Sequence, residues 1–241
     1  KVYMKKFVFL ILAVFLSSTA FAAYDQALSL YQEKKYQESL AMCGQDLIMA
    51  DDFKPGSANY KIRYLAAHNH WKLGNIESAS IHFRKCMAID KTKVDPYIDL
   101  ALMLTEKGKF REAGSIIEDG LKVKDDAYLY WILGRIAIGR NDFSRAKELL
   151  ERANSLEPEL YVSYNDLGIA LMKLGKFGDA NTAFSVALAI NPDSAEINSN
   201  MALCLYRMGK GSEALNYAKR AQELSPDNES VNKVIQKIEN K

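Results

Sequence analysis

The chain has 241 residues, 49% of them hydrophobic and 26% charged, with 32 lysines and arginines against 30 acids for a net charge of +2. That length and apolar content suit one or two ordinary domains or one elongated array, and they exclude a disordered, collagenous or disulfide-dense chain. The near-even charge balance excludes a basic surface that would drive nucleic-acid binding.

The first element is a leader. "MKKFVFLILAVFLSSTAFA" (4–22) has a basic start at Lys5 and Lys6, an apolar run from Phe7 to Leu16, and small residues at Ala20 and Ala22. This is the pattern of a signal peptide over 1–22, cleaved after Ala22, with Met4 a more natural start than Lys1. The apolar run is shorter than the roughly 20 residues needed to span a bilayer. No cysteine follows it to carry a lipid. The competing reading is an uncleaved membrane anchor. Cleavage implies a periplasmic or secreted protein with no stable membrane insertion. Lys1, Lys5 and Lys6 leave with the leader, which has no acid, so the remainder carries 29 basic against 30 acidic residues, a net of −1.

Residues 23–59 hold a helical pattern centred on "ALSLYQEKKYQESLAMCGQDLIMA" and end in the insert "KPGSAN" (54–59). They are the most divergent copy of a unit that then recurs over 60–93, 94–126, 127–160, 161–194 and 195–228. "YVSYNDLGIALMKLGKFGDANTAFSVALAINPDS" (161–194) aligns without a gap to "AEINSNMALCLYRMGKGSEALNYAKRAQELSPDN" (195–228). Each unit predicts two short amphipathic helices. Gly74, Gly108, Gly175 and Gly209 stand at the turn between them, where a left-handed residue ends the first helix, and Asn141 takes that place in one copy. Pro158, Pro192 and Pro226 stop the second helix.

Residue size repeats as well. The eighth place holds Ala27, Ala67, Ala101, Gly134, Gly168 and Ala202. The twentieth holds Ser39, Ala79, Ala113, Ala146, Ala180 and Ala214. The twenty-seventh holds Cys86, Gly120, Ala153, Ala187 and Ala221, but Asp46 in the first copy. Small side chains let helix axes approach to about 8–10 Å. After the last copy, residues 229–241 predict a capping helix with Val231, Val234, Ile235 and Ile238 on one side.

A period of about 34 residues with this size pattern resembles the tetratricopeptide repeat (TPR) family. The resemblance covers nearly all of the chain after the leader. It implies an all-α fold, a right-handed α-solenoid of about six helix-turn-helix units plus a C-terminal capping helix. Gln26 and Asp46 depart from the family pattern in the first copy, so that copy is expected to fray first.

Signs of catalysis are lacking. The sequence has no P-loop, no dinucleotide-binding glycine pattern and no nucleophile elbow. His68 and His70 look like a metal pair, but residues two apart on a helix diverge by roughly 200°. The acid pairs Asp51-Asp52 and Asp125-Asp126 fall at unit boundaries, where turns and helix N-caps use them. No metal, cofactor or enzymatic activity is expected. Cys43, Cys86 and Cys204 read as small buried residues on helices. In an oxidising compartment, Cys43 and Cys86 are the pair open to a disulfide.

The TPR resemblance implies that first helices line a concave face, chiefly through the second, fifth, ninth, twelfth and thirteenth places. Carried over, these include Tyr64, His68 and Trp71, then Ile98 and Leu102. Further along come Tyr128, Trp131, Arg135 and Ile138, then Ile169, Met172 and Lys173, and finally Leu203 and Tyr206. The ninth place, often asparagine in the family, is apolar at Leu28, Leu102, Ile169 and Leu203, an apolar stripe flanked by tyrosine and tryptophan. Such stripes mark partner sites or pack against neighbouring helices. The lysine–asparagine set with which some members clamp a C-terminal carboxylate is missing from every three successive copies. The expected function is an exported module that binds a peptide or helix of a partner protein. The alternative is a self-assembling scaffold or accessory subunit of a cell-envelope complex, including transport-associated roles, so a homo-oligomer is possible. No nucleic-acid partner is expected.

Overall fold

In a computed structural model of the chain, the described residues are 23–49 and 58–239, all helices and short turns with no strand. The leader 1–22, its cleavage site, Asp51-Asp52 and most of the 54–59 insert lie outside the described residues. The chain divides into two units between Lys124 and Asp125.

The first unit contains α1 (23–32), α2 (Tyr36–Met49), α3 (Ala58–Lys72), α4 (Ile76–Ile89), α5 (Asp95–Glu106) and α6 (Phe110–Val123). The second contains α7 (Ala127–Gly139), α8 (Phe143–Leu156), α9 (Tyr161–Lys173), α10 (Phe177–Ile190), α11 (Ala195–Arg207), α12 (Gly211–Leu224) and α13 (Glu229–Glu239). Within each unit, successive helices form helix-turn-helix pairs and each pair packs on the next. This is the all-α repeat fold that the size pattern predicts.

The turns explain why each pair folds back. Gly175 has φ +74°, and the amide of Lys176 reaches back to the Leu171 carbonyl (2.9 Å), satisfying an otherwise orphaned helix-end acceptor. Asn141 adopts φ +60° at the matching place. In the divergent first copy Lys34 does so, at φ +62°, a conformation uncommon for a residue other than glycine. The acids at the boundary are accounted for: Asp126 caps α7 by accepting from the Tyr128 amide (3.0 Å), and Asp125 pairs with Arg152 (2.6 Å).

Small residues sit where helices touch. Ala180, Ala187, Ala146, Ala214 and Ala221 are wholly buried, as are Ala79, Ala101 and Ala113 in the first unit. Around the alanines of the second unit, Leu150, Leu171, Phe184, Ile197 and Met201 fill one continuous core. The cap α13 buries Val231 and Ile235 against Ala202, Ala218 and Ala221. In the first unit, Ala27 and Cys43 pack with Ile62, Leu65 and Ala66, which ties the divergent copy to its neighbour. Ser39 replaces alanine there because its hydroxyl has work to do. It donates to the Ala27 carbonyl (2.7 Å) and accepts from the Asn69 side chain (2.8 Å).

The cysteines are all buried and none forms a disulfide, so Cys43 and Cys86 are not paired with one another. Cys86 donates to the Tyr60 carbonyl, and burial pushes its thiol pKa up to about 12. Cys204 donates to the Phe177 carbonyl (3.3 Å).

Candidate functional site

The side chains carried over from the family pattern lie on the first helices α3, α5, α7, α9 and α11. Of those named above, from Tyr64 to Tyr206, none is fully buried, and only Tyr128 and Lys173 are largely exposed. The apolar stripe is therefore shallower than a fully exposed patch. In the second unit Trp131, Ile138, Ile169, Met172 and Tyr206 each rest part of their surface on the core while keeping an edge outside.

In the first unit three site residues converge on α3. The imidazole of His68 meets Tyr64 edge-on (4.8 Å between centroids) and stacks on Trp71 (5.9 Å). The spacings of four and three residues place these rings on one helix face. Asp99 of α5 binds the cluster: Tyr64 donates its hydroxyl to it, and His68 Nε2 lies 3.1 Å from the same carboxylate oxygen. Burial first, and then the Asp99 charge, raise the Tyr64 pKa, so its hydroxyl stays protonated. Ile98 and Leu102, on α5, are half-buried.

The second unit repeats the device with different residues. The Trp131 indole N–H donates to Asp166 of α9 (2.7 Å), Arg135 Nε lies 3.9 Å from that oxygen, and the guanidinium sits over the Trp131 ring (5.3 Å). Tyr128 meets Trp131 edge-on (6.3 Å). Burial pushes the Asp166 pKa up to about 6, against the opposing pull of Trp131 and Arg135. One step further along, Asn200 of α11 donates to Asn165 of α9 (3.0 Å), and Asn165 donates to Glu196 (3.1 Å).

These links share a separation of 35 residues, one more than the repeat: Tyr64 with Asp99, Trp131 with Asp166, Asn165 with Asn200. They join the fifth place of one copy to the sixth of the next. The sixth-place residues Asp99 and Asp166 are absent from the family-derived set, although their spacing from the aromatic residues is visible in the sequence.

Beyond Asp166 the first-helix face opens into a cavity of about 560 Å³ between α9 and α11, lined by Ile169, Met172, Lys173 and Phe177 from one side and Leu203 and Arg207 from the other. Tyr206 and Ile138 do not line it. No three metal-ligating side chains converge among the described residues. His68 and His70 point apart as their spacing requires. His70 instead stacks on His82 of α4 (5.4 Å), and burial lowers the pKa of both, that of His82 to about 4.

Two tetratricopeptide-repeat family models match the sequence, one over residues 171–238 and another over 60–93 and 127–160, together more than half of the chain. The chain belongs to the tetratricopeptide-repeat family. No curated protein sequence matches it. Among solved structures, PilW, described as a widely conserved type IV pilus biogenesis factor, is similar with a TM-score of 0.74 at 16% identity, over 90% of this chain and 98% of that one. A chain of the Cut9–Hcn1 hetero-tetramer of APC/C gives 0.76 at 17% identity over 91% of this chain; the TPR chain spans only 42% of that protein. YrrB, described as a TPR protein with an unusual peptide-binding site, gives 0.53 at 18% identity over 71% of this chain and 89% of its own. At such identities the likeness establishes the fold alone. Membership in this family implies a protein-interaction fold suited to protein or peptide partners.

Proposed function

We propose that the chain is exported and takes a peptide or helix of a partner protein on its first-helix face. The observation that carries this reading is the open cavity between α9 and α11, whose apolar floor of Ile169, Met172 and Leu203 lies on the face that also carries Trp131 and Tyr128. Tryptophan and tyrosine are typical anchors, because they bury much area with few rotors to freeze. An amphipathic helix or extended segment would gain its affinity by desolvating that floor. Arg135 and Lys173 would orient its polar groups. In the first unit, Tyr64, His68, Trp71, Ile98 and Leu102 would offer a second contact area, and Tyr206 and Ile138 would support the floor without touching the ligand. YrrB's description as a peptide binder is in keeping with this use of the fold. Export rests on the leader "MKKFVFLILAVFLSSTAFA".

The test compares the mature chain with a Trp71→Ala/Trp131→Ala variant as bait in an extract of the cell envelope. A partner retained by the first and lost by the second supports the reading, and Trp131→Ala alone should weaken its binding by more than about 1 kcal/mol. Equal retention by both baits would remove the aromatic residues from the site. Amino-terminal sequencing of the mature protein should begin at Ala23; a start at Met4 would contradict cleavage. Light scattering should give a monomer. A stable dimer would turn the reading toward the self-assembling scaffold.

A further inference from the structure

The cavity between α9 and α11 has a charge pattern that narrows what can fill it. Lys173 and Arg207 occupy the same place, the thirteenth, in consecutive copies, so the repeat sets them side by side at the C-terminal ends of α9 and α11. Both line the cavity, both are exposed, and neither has an ion-pair partner among the described residues. No acidic side chain lines the cavity. The acids already placed on this face, Asp166 in the middle of α9 and Glu196 in the first turn of α11, are engaged by Trp131, Arg135 and Asn165. Several other long cations of the second unit, Arg145, Lys147, Arg152, Lys210 and Arg220, each pair with an acid, whereas Lys173 and Arg207 face the cavity unpaired. Placement near helix C-termini favours a cation through the helix dipole, which accounts for one charge at each end. It does not account for both lining one cavity with an apolar floor.

Resting on the peptide-binding reading above, we infer that this cavity recognises an acidic–apolar peptide segment. An aspartate or glutamate would be held between Lys173 and Arg207, and an adjacent aliphatic side chain would rest on Ile169, Met172, Phe177 and Leu203. Arg207 supplies a planar fork that matches a carboxylate and Lys173 a mobile point charge, so one carboxylate can be met from two sides. Because both cations are exposed, attraction between them and the carboxylate weakens with salt while the apolar contact does not. The segment lies across the ends of α9 and α11. This places recognition at the thirteenth place of two adjacent copies rather than at their fifth and ninth.

The mature wild-type chain is panned against a displayed library of random twelve-residue peptides, alongside Lys173→Glu/Arg207→Glu and Lys173→Ala/Arg207→Ala variants verified by circular dichroism. The wild type should enrich sequences with Asp or Glu next to Leu, Ile or Val. A synthetic peptide of the most enriched sequence should bind the charge-reversed variant at least tenfold more weakly and the alanine variant less tightly than wild type. Its affinity for wild type should fall between 50 and 500 mM salt. Enrichment of peptides without acids, or of the same peptides by the charge-reversed variant, overturns the inference and leaves the interaction module standing. No enrichment by any form overturns the peptide-binding reading itself.

Discussion

Gly168 offers a quantitative test of how the repeats nest. It lies on α9 against Phe184 of α10, and a β-carbon there would stand 2.5 Å from Cε1, 2.6 Å from Cζ and 2.8 Å from Cδ1 of a wholly buried ring. Carbon atoms pack best at about 3.5–4.0 Å, so the ring or the helix must move by about 1 Å. Alanine in a helix interior is favoured over glycine by about 1 kcal/mol, whereas overpacking a filled core costs about 1–3 kcal/mol. The clash wins, and Gly168→Ala should destabilise by about 1 kcal/mol and up to about 2. Gly178, the second residue of α10, has nothing within 4 Å of its added carbon, so Gly178→Ala should be neutral or stabilising. Urea unfolding followed by circular dichroism compares both with wild type, and with Phe184→Leu alone and combined with Gly168→Ala. Leucine vacates the contested space, so the double variant should be more stable than the sum of the singles by over about 0.5 kcal/mol. A Gly168→Ala protein as stable as wild type, or strictly additive singles, would refute the packing argument.

Other expectations follow from the packing and charges of the same helices. Ala180 is wholly buried, so Ala180→Leu should cost about 1–3 kcal/mol in the same unfolding assay, and an unchanged midpoint would contradict its placement. Asp166, with a folded pKa of about 6 against about 3.9 unfolded, holds its proton more tightly when folded, so its contribution to stability falls as pH rises from about 4 to 6. Asp166→Asn should therefore gain on wild type across that window, and in a Trp71→Phe background it should abolish a titration of Trp131 fluorescence near pH 6. His82 has the opposite sign: with a folded pKa of about 4, below the ordinary 6.5, its contribution is present above pH 6.5 and lost as pH falls toward 4. His82→Asn should flatten that acid loss, and an unchanged pH profile would show that His82 is not responsible. The first copy is joined to the rest through a small cluster around Ala27 and Cys43, so amides of 23–49 should exchange faster than those of 127–190; equal protection would contradict this.

The repeat was legible because its determinants are local. Gly175 at the turn, Ala180 and Ala187 at the helix contacts, and Pro192 beyond the stop are each set by backbone sterics or side-chain size, and each recurs at a fixed interval. Lys34 was not legible as a left-handed residue, because no lysine signals that conformation and only the surrounding turn imposes it. The site was legible as a face but not as a network. Trp131 and Tyr64 stand out by residue type, whereas their carboxylate partners Asp166 and Asp99 lie one residue more than a repeat away, and an acid at that place reads as an ordinary solvated residue. The stripe of Leu102, Ile169 and Leu203 left open both exposure to a partner and packing against neighbouring helices, and each is half-buried. His70 and His82 belong to different helices, and only the turn between α3 and α4 stacks them.

The most direct test of the central claim, that the first-helix face is the surface that grips a partner, is site-specific photo-crosslinking in intact cells. A photoreactive phenylalanine would replace Ile169, Leu203 or Tyr128 on that face. Control positions are the exposed Ile81 of α4 and Ile190 of α10, on second helices. The account predicts discrete protein adducts from the first three positions and none from the controls. Adducts arising only from Ile81 and Ile190, or equally from all five positions, would contradict it.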